Sequence, residues 1–143
     1  LTAKSKEIPM KKHKIYVYGT LRPGGTDTVK VPGKLFNLGW FPGAMLLAPD
    51  AGSEFTAEII EVDDAGRKRL DSYEGYDESS PATSLYLRVP YLEGEIYVYN
   101  NSLSDYPLVE GQDWLAAQKS KAGSAASMVP AATAAPTQNQ NPN

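Results

Sequence analysis

A chain with no cysteine and one histidine, His13, must do its acid/base chemistry with carboxylates, hydroxyls and backbone amides. Thiolate nucleophiles, disulfides and cysteine metal sites are excluded by composition. One histidine ahead of the first strand also sets aside Ser/His/Asp catalysis and multi-histidine metal binding. Any general base is then a carboxylate. Two stretches carry the types and spacing for such chemistry. In YVYGTLRPG, residues 16 to 24, an aromatic strand runs into a glycine-marked loop. Gly19 lets the backbone bend and leaves amide donors open at Gly19, Thr20 and Leu21, a way to hold an oxyanion or carboxylate without a metal. Taken alone, the stretch fits an ordinary strand and turn equally well. In SYEGY, residues 72 to 76, Glu74 lies between two tyrosines and directly before a glycine. Aromatic walls desolvate a carboxylate and raise its pKa, which makes it a better base near neutral pH. The competing reading is a solvated glutamate at a helix end.

The elements that must position these groups follow from periodicity. Strands are predicted at Lys14 to Tyr18, Lys34 to Trp40, Ala44 to Ala48, Thr56 to Glu61, Ser84 to Pro90 and Glu93 to Tyr99. Pro/Gly turns are predicted at 23 to 25, 32 to 33, 42 to 43 and 49 to 52. Residues 62 to 75 break the pattern: Asp63 or Asp64 is a helix N-cap, Ala65, Leu70 and Tyr73 are the apolar positions, and Gly75 is the stop. The result is an α+β protein, a mostly antiparallel sheet or small β-barrel with one or more short flanking helices. Tyr16 and Tyr18, and likewise Tyr97 and Tyr99, share a face and read as core or cavity wall. Arg22 reads as an exposed arginine on a turn.

The chain has 143 residues, enough for one domain with a real core. A net charge of −3 and a pI near 5.1 argue against nucleic-acid binding, which needs a basic face. No apolar run approaches the roughly 18 residues of a membrane span. Residues 1 to 13 carry lysines without the apolar stretch of a secretory signal, so a cytoplasmic protein with a flexible N-terminal arm is expected, its natural start at Met10. The domain is placed at 14 to 118. Residues 119 to 143, rich in Ala, Ser, Pro, Gln and Asn, read as a disordered low-complexity tail, although the alanines support helix as far as Lys121. Oligomeric state is not legible.

Four segments resemble the γ-glutamylcyclotransferase-like family, which includes AIG2-like proteins and γ-glutamylamine cyclotransferases. They are VYGTLRPG at 17 to 24, GKLFNLGWFPGAML at 33 to 46, AEIIEVDDAGRKRLDSYEGYD at 57 to 77, and SLYLRVP with GEIYVYN within 84 to 100. The pairing of YGTL with a downstream LDSYEGY is more specific than either half. The resemblance implies a β-barrel whose cavity sets the YGTL loop against the glutamate of the EG element. Tyr18, Gly19, Thr20 and Leu21 would hold substrate, Glu74 would be the catalytic acid/base, and Tyr86 and Tyr99 would line the cavity. It also implies a cofactor-independent enzyme acting on a small γ-glutamyl amide and releasing 5-oxoproline. Residues 26 to 31 and 77 to 83 are candidates for the wall facing the leaving group. A non-catalytic binding module of the same fold, using its cavity or its tail, is the alternative.

Overall fold

A computed structural model describes residues 11–124. The arm before residue 11 and the tail beyond residue 124 lie outside the described residues. Six strands form in the order of the chain: β1 (Lys12–Val17), β2 (Val29–Asn37), β3 (Pro42–Leu46), β4 (Glu54–Asp63), β5 (Tyr86–Tyr91) and β6 (Gly94–Tyr99). Helix α1 (Asp64–Glu74) follows β4 directly, and helix α2 (Trp114–Ser124) follows the last strand. Short 3-10 turns occupy Pro81–Thr83 and Glu110–Gln112. Helix α2 crosses the boundary placed at residue 118.

The strands lie in the order β3-β2-β4-β1-β6-β5, and every pairing is antiparallel except β1 with β6. The mostly antiparallel, curled sheet with flanking helices is thus the architecture the periodicity predicted. Its curl comes largely from β2, which pairs with β4 through Val29–Pro32 and with β3 through Gly33–Asn37. Pro32 and Gly33 are therefore a bend within a strand and not the predicted turn. Gly33 has φ +156°, and a Cβ there would collide with the Met45 carbonyl oxygen and lie 2.9 Å from the Phe55 ring, so only glycine passes. Pro42 and Gly43 likewise belong to β3, where Gly43 faces Phe36 and Pro42 faces Asn37 across the ladder. As the first residue of its strand, Pro42 is tolerated.

Alternation along β1 divides the core. Tyr16 points into the curl with Val31, Leu35, Ala44, Phe55, Ala57 and Ile96, closed at one end by Val109 and Trp114. Ile15 and Val17 point the other way, toward Tyr86, Tyr97 and Leu70 of α1. Helix α1 starts where Asp63 accepts a hydrogen bond from the Gly66 amide at 2.8 Å. Gly66 is required by packing, since a Cβ would lie 2.9 Å from Val62 Cβ. The helix ends at Gly75, left-handed at φ 68°, with the Gly75 amide donating to Ser72 O and the Tyr76 amide to Asp71 O. His13 is in β1 opposite Val62, with Nε2 2.6 Å from Asp64 Oδ1, and not in the arm ahead of the strand. The β1–β4 ladder runs two residues further than the apolar alternation, because backbone pairing tolerates polar side chains at a sheet end.

Candidate active site around Glu74

The last residue of α1 is a glutamate with no exposed surface. Neither Glu74 oxygen has a hydrogen-bond partner among the described residues. Burial, reinforced by the nearby Asp71, pushes the carboxyl well above the ordinary 4.5, so it keeps its proton far beyond the usual carboxylate range. An orphaned buried carboxyl is costly and calls for an explanation.

Three buried phenols feel its charge, and each has its proton committed elsewhere. Tyr18 Oη donates to Tyr97 O at 2.6 Å, Tyr86 Oη donates to Pro42 O at 2.7 Å, and Tyr97 Oη donates to Asp71 Oδ1 at 2.6 Å. Burial drives all three pKa values up, and in each the proximity of Glu74 adds to the rise. The Ala44 N–H acts in the opposite direction on Tyr18. The aromatic wall is therefore Tyr18, Tyr86 and Tyr97, and not the flanking Tyr73 and Tyr76. Tyr73 is 42% exposed, since one step along a helix turns a side chain by about 100°. Tyr76 faces the Arg88 guanidinium, 5.1 Å from ring centroid to Cζ.

One turn back from Glu74, Asp71 accepts from Tyr97 and pairs with Arg88. Arg88, its side chain 7% exposed, also contacts Glu95 at 3.1 Å and Glu78 at 3.5 Å, and Arg67 holds Glu95 at 2.8 Å. Burial opposes the charge of Arg88, but Asp71 and Glu95 outweigh it and raise its pKa. This network fixes the face of α1 that carries Glu74. Its sequence signal was the spacing of Asp71 and Glu74, three apart and so on one helix face, opposite an arginine in a strand.

Along the YGTL loop, Gly19 is buried, Thr20 exposed and Leu21 half-buried, and the Arg22 amide closes the turn on Gly19 O at 3.1 Å. Leu21 packs in the cluster that contains Tyr86, Tyr97 and Tyr99, so loop and aromatic wall meet. Tyr86 and Tyr99 contact edge to face, centroids 5.4 Å apart. Arg22 is not exposed. Its side chain is 4% exposed, with Nε 2.8 Å from Glu58 Oε2 and Nη1 2.9 Å from Asp113 Oδ1. Glu58 also accepts from the Gly24 and Gly25 amides at 3.0 and 3.2 Å. Burial alone would raise the Glu58 pKa, but Arg22 and the two amides lower it. This buried triad anchors the loop to β4 and to the start of α2. It escaped the sequence because nothing local pairs Arg22 with a residue 36 positions away.

A family model described as "Gamma-glutamyl cyclotransferase, AIG2-like" matches residues 15–116, and the chain belongs to that family. The solved structure of YkqA from Bacillus subtilis is similar in fold, with a TM-score of 0.52 and 19% identity over 80% of this chain. The chain spans 42% of that structure's length. No curated protein matches the chain. No group of three or more His, Cys, Asp or Glu that could hold a metal occurs among the described residues. No helix among them is long and apolar enough to cross a membrane.

Proposed function

We propose that the protein is a γ-glutamyl cyclotransferase in which Glu74 is the general acid and base. The observation that carries this reading is the fully buried Glu74 carboxyl, without a partner, beside three phenols whose protons are engaged elsewhere. What the site lacks is a hydrogen-bonding partner for that carboxyl, and a substrate amine supplies one.

In a γ-glutamyl amide the α-amine attacks its own side-chain carbonyl and closes a five-membered lactam. Nucleophile and electrophile share one molecule, so the main task is to fold it into a near-attack geometry. The raised pKa of Glu74 favours a complex of carboxylic acid with neutral amine over carboxylate with ammonium, and the neutral amine is the nucleophile. As the new C–N bond forms, the attacking nitrogen becomes cationic and must lose a proton. The carboxylic acid protonates the departing amide nitrogen as its C–N bond breaks. The resulting carboxylate takes the proton from the ring nitrogen, leaving 5-oxoproline, a free amine and the original carboxylic acid. In this reading the backbone amides of Gly19 to Leu21 bind the oxyanion or the substrate α-carboxylate, Thr20 adds a hydroxyl, and Tyr18, Tyr86 and Tyr99 wall the substrate. Loss of one oxyanion donor costs about 3 kcal/mol in such reactions.

A panel of γ-glutamyl amides assayed for 5-oxoproline, with Glu74→Gln as the control, tests the reading. Turnover by the parent protein and none by the variant is the expected result. A folded parent protein inactive on every amide would point instead to a binding module of the same fold.

A further inference from the structure

The strand that leads into the YGTL loop carries a second concave site at its far end. β1 pairs with β4 along its whole length, Lys12 to Val17, but with β6 only at Ile15 and Tyr16, because β6 begins at Gly94. A cavity of about 380 Å³ lies where β1 extends past the start of β6. Residues 11 to 14, the sequence KKHK, line it from β1, and Pro90, Glu93, Gly94 and Glu95 line it from the β5–β6 connection. A Cβ at Gly94 would lie 2.1 Å from Lys14 O, so that connection abuts the strand and bounds the cavity. The volume is that of a small-molecule pocket.

Side chains of both signs meet here, and most of them are matched within the fold. Lys14 Nζ lies 2.9 Å from Glu93 Oε1, and Arg67 Nη1 lies 2.8 Å from Glu95 Oε1. His13 meets Asp64 at 2.6 Å. Asp63, opposite Lys12 in the ladder, accepts from the Gly66 amide instead. Three lining residues are left over: Lys11, Lys12 and Glu61 form no ion pair among the described residues. Glu61 stands opposite Lys14 in the ladder, but the Lys14 ammonium is taken by Glu93. Two ammoniums and one carboxylate are thus unmatched around a single concavity. A polyanion would meet repulsion from Glu61, Glu93 and Glu95, all of which line the cavity. The complement is a small molecule with two negative groups and one positive.

We propose that this cavity binds a free acidic amino acid, its two carboxylates against Lys11 and Lys12 and its ammonium against Glu61. The site is separate from the reaction at Glu74 and does not depend on it, since Gly19 to Leu21 follow the opposite end of β1. A single exposed ion pair contributes little, because water competes and two long side chains must be ordered. Selectivity here comes from one short ligand meeting three unmatched charges at once, with few rotatable bonds to freeze. A dicarboxylate without an amine leaves Glu61 unmatched, and a neutral amino acid leaves one lysine unmatched.

The test is a nitrogen-15 NMR titration that follows the amides of Lys12 to Lys14 and Gly94 with L-aspartate, succinate and β-alanine, at fixed ionic strength because exposed charges are screened. Succinate lacks the ammonium, and β-alanine lacks the second carboxylate. L-aspartate is expected to saturate these signals, with succinate and β-alanine each about fivefold weaker, the contribution of one exposed ion pair. Glu61 is exposed and forms no ion pair, so Glu61→Gln keeps the fold. That variant is expected to bind L-aspartate and succinate equally. Lys11→Ala combined with Lys12→Ala, with an unchanged melting curve, is expected to weaken L-aspartate by at least about tenfold. Absence of saturation, shifts confined to Gly19 to Leu21, equal affinity for the three ligands, or a Glu61→Gln protein that still prefers L-aspartate to succinate overturns the assignment. Each of these outcomes leaves the cyclotransferase reading as it was.

Discussion

Asp71 and Glu74 lie one turn apart on the same helix, and their surroundings are opposite: Asp71 is held by Tyr97 and Arg88, whereas Glu74 is buried with neither oxygen bonded. Burial raises the pKa of Glu74, and a carboxyl displaced upward in this way is a recurring feature of acid/base chemistry. The fixed charge of Asp71 helps keep the proton on Glu74.

Removal of that charge gives the first prediction. Asp71→Asn lowers the pKa of Glu74, because a neutral neighbour no longer disfavours the second anion. Carbon-13 NMR titration of the Glu74 side-chain carboxyl reads the change, and its midpoint moves to lower pH in the variant. An unmoved or raised midpoint would show that Asp71 does not act on Glu74.

The pH dependence of stability gives the second. The folded pKa of Glu74 is above its unfolded value near 4.5, so between the two the native state binds more protons than the unfolded state. Stability therefore falls as pH rises above 4.5 toward the folded pKa. Glu74→Gln lacks this slope, and its advantage over wild type in urea unfolding is expected to grow across that window. Glu58, Asp113 and Glu95 have lowered pKa values and act oppositely: their stabilisation is lost as pH falls through the acid range, in wild type and variant alike.

The triad behind the loop gives the third. Glu58→Ala leaves the Arg22 guanidinium, its side chain 4% exposed, without its buried partner. Breaking such a pair from one side costs about 3 to 5 kcal/mol, a large share of a small domain's stability. Arg22→Met combined with Glu58→Gln removes both charges and is expected to recover part of the loss. Urea denaturation of the three proteins measures this, and a Glu58→Ala cost under about 1 kcal/mol would place the pair with ordinary surface ion pairs.

The bend in β2 gives the fourth. Gly33→Ala forces a Cβ against the Met45 carbonyl and the Phe55 ring, at a backbone angle that L residues rarely adopt. A cost of at least about 1 to 3 kcal/mol follows from the strained backbone alone. The midpoint of chemical denaturation reports it, and an unshifted midpoint would mean that the bend relaxes at no cost.

Six strands, the stop at Gly75 and Asp63 as one of two N-cap candidates were legible because alternation and capping are local properties of the chain, although β2 begins at Val29, inside a stretch read as loop. Pro32–Gly33 and Pro42–Gly43 misled, since the residues that make a turn also make a bend inside a curled strand, and only the partner strand distinguishes them. Glu74 was legible as a special carboxylate, but for the wrong neighbours. Its adjacent tyrosines point elsewhere, and the phenols that feel its charge come from positions 18, 86 and 97. Arg22 read as a surface residue because its partners, Glu58 and Asp113, come from β4 and the start of α2, distances that no local pattern encodes.

The most direct measurement is the rate of 5-oxoproline release from a γ-glutamyl amide by wild type and by Glu74→Gln, with circular dichroism and a melting curve showing both folded. The amide side chain of glutamine keeps the size of the carboxyl and cannot shuttle a proton. Turnover by wild type and a loss of at least about 100-fold in the variant, in line with the usual contribution of general acid/base catalysis, is the predicted result. A folded Glu74→Gln that releases 5-oxoproline at the wild-type rate would contradict it.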